Sequence, residues 1–322
     1  MNRPKAIYFS MLQYQPSNLD LIKDAFDLEQ YHTPDDLRDR ELAGCEVVFA
    51  PLGYMFDGAF FDRVPGLKVI VSNTTGIPHI DAKEAAGRGI SVVALHDDQE
   101  FLESITPTAE HTIGLMVAAA RRLPSAHRAA AEGMWDRRPW GSPRMLSRMR
   151  LGIVGYGRLG RMVCRIAKVM GMETAYFDPF VPGGESSILA LARNADVLSI
   201  HAKVTPESTG LVSREVLEAL PKGAIVVNTA RGEILDSEAL IDLLESGHLW
   251  AAALDTISGE FSPGFAETFG SSRIARYAYE RDNLILTPHI GGSTYDAWFA
   301  TERRVIDRAL GLIGGSRGQG KD

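Results

Sequence analysis

The segment Leu151-Gly-Ile-Val-Gly155-Tyr-Gly157-Arg-Leu-Gly160-Arg-Met-Val limits what this chain can fold into more than any other. An apolar strand runs into a Gly-x-Gly-x-x-Gly turn and then a helix, the local arrangement that a dinucleotide pyrophosphate requires. The first glycine permits the tight turn, the second lets the backbone approach the phosphates, and the third lets the helix pack closely on the strand with its N-terminus aimed at the anion. The motif sits mid-chain, with about 150 of 322 residues ahead of it, enough for a separate domain.

Around that motif short β-rich runs alternate with helical patterns, which predicts βαβ units and mostly parallel sheets. Strands are expected at 6–10, 46–51, 67–73 and 91–95, with helices at 18–25 and 80–88, a small α/β domain in its own right. A long amphipathic helix is expected from 106 to 122. A looser stretch, 123–149, follows and carries Trp135 and Trp140, which serve either packing or an oligomer interface. A second series at 151–154, 174–177, 197–200, 224–228, 250–254 and 284–287 supplies six strands, a complete dinucleotide-binding domain. A helix over 295–313 and a polar tail over 314–322 end the chain.

With 45% hydrophobic and 23% charged residues, two domains with sizeable cores are expected. A net charge of -7, with scattered basic residues, provides no electrostatic footprint for nucleic acid or an anionic membrane. No apolar run is long enough to span a bilayer, and the N-terminus enters a strand without the apolar core of a signal peptide. The two cysteines, Cys45 and Cys164, lie in apolar settings and read as reduced core residues, so a cytoplasmic protein is expected.

The chemistry-bearing residues stand at strand ends. Asp178 closes the strand after the glycine turn, 18 residues beyond Gly160, where a carboxylate accepts hydrogen bonds from ribose hydroxyls and repels the 2′-phosphate of NADP. The cofactor expected is therefore NAD; the alternative is a loop aspartate in a turn before Pro179. Arg231 lies just past the strand Ile225-Val-Val-Asn228, and its planar guanidinium suits the carboxylate and carbonyl oxygens of a 2-oxo acid. His289 ends another strand, and Asp255 and Glu260 follow a third. An imidazole can pass a proton to a ketone as hydride arrives, and a neighbouring carboxylate orients it and raises its pKa. A lone histidine is most often a satisfied polar residue; three such groups at the ends of three strands of one nucleotide-binding sheet reverse that expectation. No metal site is expected.

With these motifs in place, the chain resembles the D-isomer-specific 2-hydroxyacid dehydrogenase family, whose members include phosphoglycerate, glycerate and D-lactate dehydrogenases. The resemblance rests on Gly-Tyr-Gly-Arg-Leu-Gly at 155–160, His201-Ala-Lys-Val-Thr-Pro-Glu-Ser-Thr-Gly, Asn-Thr-Ala-Arg-Gly-Glu at 228–233, Ala-Leu-Asp at 253–255, Thr-Pro-His-Ile-Gly-Gly-Ser-Thr at 287–294 and Ala109-Glu-His111-Thr. It implies a catalytic trio of Arg231, Glu260 and His289. It implies cofactor contacts from Gly155, Gly157, Arg158, Leu159, Gly160, Asp178, Thr205, Thr229, Ala230, Asp255, Gly291 and Gly292, and substrate-carboxylate contacts from the loop containing Thr75, Gly76 and Ile77 together with Arg231.

The resemblance also implies a Rossmann NAD-binding domain (103–290) inserted into a smaller flavodoxin-like α/β substrate domain (1–102 plus 291–322), with catalysis in the cleft between them and a homodimer formed through the long helix and the arm after it. The expected reaction interconverts a D-2-hydroxy acid and its 2-oxo acid. A phosphite or phosphonate-related dehydrogenase, which shares the Arg, Glu and His arrangement, and an NAD-binding corepressor-like scaffold are the alternatives. No regulatory domain is expected after the catalytic one. Departures from the family pattern are Lys203, Arg148-Met149, Phe261 and Thr74, the last replacing the first glycine of a Gly-x-Gly carboxylate loop. His96 and Lys203 read either as contacts to a substrate tail or as exposed loop residues.

Overall fold

The structure, a computed structural model, describes residues 3–37, 42, 44–262 and 264–318, without the side chains of 315–318. Two compact units emerge: Met1–Ile105 with Thr294–Asp322, and Thr106–Ser293.

In the first unit β1 (Lys5–Phe9), β2 (Asp27–Tyr31), β3 (Cys45–Phe49), β4 (Val69–Val71) and β5 (Ser91–Val93) form a parallel sheet in the order β2-β1-β3-β4-β5. This is the flavodoxin-like order, in which the chain reverses direction across the sheet between the first and third strands. Alternate residues of each strand face opposite sides. Ala6, Tyr8, Val47, Phe49, Val69 and Val71 enter one apolar cluster, and Ile7, Phe9, Val48 and Ile70 enter the other. Both faces are covered, which is why these strands read as near-continuous apolar runs. The strand β2, Asp-Leu-Glu-Gln-Tyr, escaped the sequence pattern because it is an edge strand with no buried residue.

The helix Tyr295–Gly318 belongs to this unit and runs five residues past the expected end; the last four residues of the expected tail lie outside those described. Its Val305, Ile306, Ala309 and Ile313 fill the first apolar cluster. The helix is pinned to the start of the helix Pro16–Ala25 by Glu302, 3% exposed, whose Oε2 accepts the Gln15 amide at 2.8 Å and Asn18 Nδ2 at 2.9 Å.

In the second unit β6 (Arg150–Val154), β7 (Glu173–Phe177), β8 (Val197–Ile200), β9 (Ala224–Asn228), β10 (Leu249–Leu254) and β11 (Leu284–Leu286) are all parallel, in the order β11-β10-β9-β8-β6-β7. All six expected strands are present. Counted within the unit the order is 2-1-3-4-5-6, not the 3-2-1-4-5-6 usual for a dinucleotide-binding domain, so β7 is the edge. After β7 the chain turns through Gly183 at φ +90° and leaves one backbone bond, Glu185 amide to Tyr176 carbonyl at 2.7 Å, where a further strand could have paired. The stretch expected to be loose after residue 122 opens with a helix, Leu123–Ala131, and the segment after Glu260 carries two short helices, Phe265–Phe269 and Arg273–Glu280. No described helix is long and apolar enough to cross a membrane.

Burial holds the Glu302 carboxyl above its ordinary pKa, against the two hydrogen bonds that lower it. Folding therefore favours the neutral acid. That contribution is complete below the unfolded carboxyl's pKa and is lost as pH rises through the raised one. Glu302→Gln, neutral throughout, is expected to raise the thermal midpoint relative to wild type more at pH 7.5 than at pH 4.5, as measured by melts at both pH values.

Candidate active site

Every sequence-selected group of the second unit stands at or just beyond the carboxyl end of a strand, where open parallel sheets bind ligands. The glycine turn between β6 and the helix Arg158–Val169 shows what each glycine does. Gly155 has φ +89°, and a Cβ there would lie 2.6 Å from the Ala202 amide nitrogen. A Cβ on Gly160 would collide with the Gly155 carbonyl oxygen. Gly157, the residue before the helix, faces open space with nothing within 4 Å of its Cβ position. Two glycines thus pack protein against protein, and the middle one leaves the helix N-terminus open to a ligand, as a pyrophosphate requires. The turn is held to β7 from two sides: Tyr156 stacks on Tyr176 at 3.8 Å, and its amide donates to Asp178 Oδ2 at 2.8 Å. Asp178 Oδ1 accepts the Phe180 amide at 2.9 Å. The carboxylate is thereby fixed at the strand terminus beside the turn, the position that suits an adenosine ribose.

At the ends of β9, β10 and β11 a second constellation forms. His289 Nδ1 and Glu260 Oε1 are 2.9 Å apart, with the side chains 32% and 12% exposed, so the carboxylate is largely shielded while the imidazole keeps an open side. The imidazole is held there by an unusual backbone: His289 has φ +52°, a left-handed conformation that costs a non-glycine residue roughly 1–2 kcal/mol. Its neighbours explain how that conformation persists. Asp255, 2% exposed, accepts the Thr287 hydroxyl at 2.5 Å and the Ile290 amide at 2.9 Å on Oδ1, and the Gly291 amide at 2.8 Å on Oδ2. The His289 amide donates to the Asp255 and Thr287 carbonyls, both at 2.9 Å. Since Thr287 gives its proton to Asp255, it accepts from His111 Nε2 at 3.1 Å, which sets that imidazole's tautomer.

Arg231 is exposed, and its Nη1 donates to the Ala230 carbonyl at 2.7 Å. The turn carrying it is locked to the turn carrying Glu260, because Gly232 lies so close to Ile257 and Ser258 that any Cβ would collide with their backbone. Glu233 Oε1 accepts the Gly259 amide at 3.0 Å in the same contact. Thr229 is turned inward: Thr112 gives its proton to the Thr108 carbonyl, so the Thr229 hydroxyl donates to Thr112 at 2.7 Å. Thr205 closes a turn with Ser208, whose Oγ accepts its amide at 2.7 Å. Gly291 is buried and Gly292 exposed. The sequence singled out His289, Glu260 and Asp255, but the linking roles of Thr287, His111, Glu233 and Thr112 had no signal beyond their place in the motifs. Among the described residues no cluster of His, Cys, Asp and Glu could hold a metal ion.

In the first unit the loop after β4 ends its strand in the same way. Among the described residues, the amides of Thr74, Thr75, Gly76 and Ile77 meet no protein acceptor, an arrangement open to an anion.

Residues 113–291 match the family model described as D-isomer specific 2-hydroxyacid dehydrogenase, NAD binding domain. The chain is 33% identical over 263 residues to a D-3-phosphoglycerate dehydrogenase of Methanocaldococcus jannaschii, covering 79% of this chain and 47% of that protein. It is 30% identical over 316 residues to a glyoxylate reductase of Thermofilum pendens, covering 92% and 88% of the two chains. The chain thus spans about half the length of the phosphoglycerate dehydrogenases it matches. The crystal structure of Aquifex aeolicus D-lactate dehydrogenase with NAD and lactic acid superposes with a TM-score of 0.80 over 98% of this chain and 97% of the other at 22% identity, a likeness of fold.

Asp255→Asn is expected to test the anchor. Whichever way the amide lies, its NH2 faces a donor that the carboxylate had satisfied, a loss of about 1–3 kcal/mol. Denaturant unfolding at neutral pH should register it.

Proposed function

The chain belongs to the D-isomer specific 2-hydroxyacid dehydrogenase family, and we propose that it interconverts a D-2-hydroxy acid and its 2-oxo acid with NAD as the hydride carrier. The observation that carries the reading is the His289–Glu260 pair at 2.9 Å, held at the strand ends by a backbone conformation that only the Asp255 network makes tenable.

The cofactor is a nicotinamide adenine dinucleotide, and the residues present fit it: the open Gly157 at the helix N-terminus would take the pyrophosphate, with Arg158 and Leu159 in the first turn, and Asp178 would take the adenosine ribose. Thr205, Thr229, Ala230, Asp255, Gly291 and Gly292 complete the assignment, Thr229 and Asp255 through backbone, since their side chains are engaged within the protein. Bound there, the nicotinamide would supply the chemistry of accepting or giving up the hydride.

The chain's own groups do the rest. His289 takes the hydroxyl proton when the hydroxy acid is oxidised and returns one to the carbonyl oxygen when the oxo acid is reduced. Glu260 holds the Nδ1 side of the ring, leaving Nε2 for that transfer. Arg231 binds the carboxylate and polarises the carbonyl, and the amides of Thr75, Gly76 and Ile77 receive the carboxylate. The exposure of Met134, Trp135 and Met145, with Trp135 93% exposed, favours the interface reading of the arm over packing and supports a homodimer. Two buried free cysteines support a reducing, cytoplasmic setting.

The test is NADH oxidation across a panel of 2-oxo acids from glyoxylate and hydroxypyruvate to branched and aromatic members, with phosphite and NAD as a separate arm. Turnover with an oxo acid is expected. His289→Ala should then lower kcat by about 10²–10⁴-fold with NADH affinity nearly unchanged; retained turnover would remove the assignment. Asp178→Ala is expected to relax the preference for NADH over NADPH in steady-state kinetics, and an unchanged ratio of kcat/KM values would count against its role.

A further inference from the structure

Thr74 stands where the family pattern has a glycine, and its hydroxyl is the outer member of a chain of three side chains in the first unit. The Thr74 hydroxyl donates to the Gly76 carbonyl at 2.6 Å, and a carbonyl can only accept. Thr74 Oγ1 must therefore accept from Ser72 Oγ, 2.9 Å away. Ser72, its proton committed, accepts from His79 Nε2 at 3.2 Å. Every proton points one way, from His79 through Ser72 and Thr74 to the Gly76 carbonyl. The direction of these bonds places a proton on His79 Nε2.

The inner end of this relay is firmly held. Ser72 is fully buried and His79 is 4% exposed. The His79 carbonyl accepts the Phe56 amide at 2.8 Å, and Phe56 meets the imidazole edge-on with ring centroids 6.3 Å apart. Burial, against a hydrogen bond to the Ala50 backbone that raises it, drives the His79 pKa down to about 4, so the ring is neutral at working pH. The outer end is a peptide plane. In a trans peptide the amide points opposite to the carbonyl, so drawing the Gly76 oxygen toward Thr74 turns the Ile77 N–H away from the relay. That amide is one of the four that meet no protein acceptor among the described residues.

We infer that Thr74, Ser72 and His79 are positioning residues for the substrate carboxylate, a buried hydroxyl–imidazole relay that fixes the Gly76–Ile77 peptide so that the Ile77 amide is presented ready to bind. The inference rests on the proposed hydride-transfer reading and adds to it a device in which a side chain holds a loop where the family pattern has glycine. Preorganisation of this kind acts on substrate binding, because without it the oxo acid must itself order the peptide. It does not act on the hydride step or on NADH.

The experiment compares wild type with Thr74→Val, Thr74→Ser and Ser72→Ala in two measurements: steady-state reduction of the best 2-oxo acid from the panel, and calorimetric binding of oxalate to the NADH-saturated protein. Thr74→Val is expected to raise the oxo-acid KM and the oxalate Kd about five- to tenfold, the scale of one lost neutral hydrogen bond, with kcat within twofold and the NADH KM unchanged. Thr74→Ser should restore both values, and Ser72→Ala should weaken both by a smaller factor. If Thr74→Val does not fold, Ser72→Ala carries the comparison. An unchanged KM and Kd, a fall in kcat alone, a rise in the NADH KM, failure of serine to rescue, or no oxalate binding by wild type each overturns the inference. A wild type that reduces no 2-oxo acid overturns the hydride-transfer reading instead, and the relay is then judged by the ordering of oxalate affinities alone.

Discussion

The arrangement of side chains at the strand ends of the second unit depends on the carboxylate of Asp255. It is almost wholly buried, and its two oxygens collect one hydroxyl and two amide protons from the turn at Thr287, Ile290 and Gly291. A charge removed from water in this way is tolerable only when its lone pairs are filled by well-placed donors, and hydrogen bonds to an ionised acceptor are the strong kind. What they stabilise is a histidine in left-handed backbone. Strain of that size is offset by several charge-assisted bonds, and it holds the imidazole in one orientation. Glu260 reaches the same ring from the turn after β10, so two carboxylates from one strand end act in series, one on the backbone of His289 and the other on its ring.

Close backbone approach is the second constraint. Gly155, Gly160 and Gly232 each sit where a Cβ would strike main-chain atoms, and main chain cannot step aside as a flexible side chain can. Gly160 allows the helix Arg158–Val169 to lie against its strand, and Gly232 allows the Arg231 turn to lie against the Glu260 turn. The glycines of the motif do not all serve the ligand: two serve packing, and Gly157 alone leaves room for something else.

Much of this was legible because the apolar runs of buried parallel strands are unambiguous and because strand ends in such sheets are where function collects. The polar strand β2 was not legible, since an edge strand with no buried residue carries no apolar period. The helix Leu123–Ala131 was missed because Pro124 reads as a breaker, whereas in the first turn of a helix its missing N–H costs nothing. Strand order in the second sheet was also hidden, because neighbours are chosen by crossover packing and not by any property of the strand sequences.

The sequence by itself determined the doubly wound class, the nucleotide turn and the strand-end positions of the candidate groups Arg231, Glu260 and His289, because each of these follows from local residue types and their spacing. Only the tertiary structure decided which side chains remain available. It turned Thr229 inward onto Thr112, spent Asp255 on a turn, and joined Ser72, Thr74 and His79 into a one-way relay. The reason is that a hydroxyl has one proton and a carboxylate a fixed number of lone pairs. Where they go depends on partners far along the chain as well as near, and those partners are brought within 3 Å only by folding.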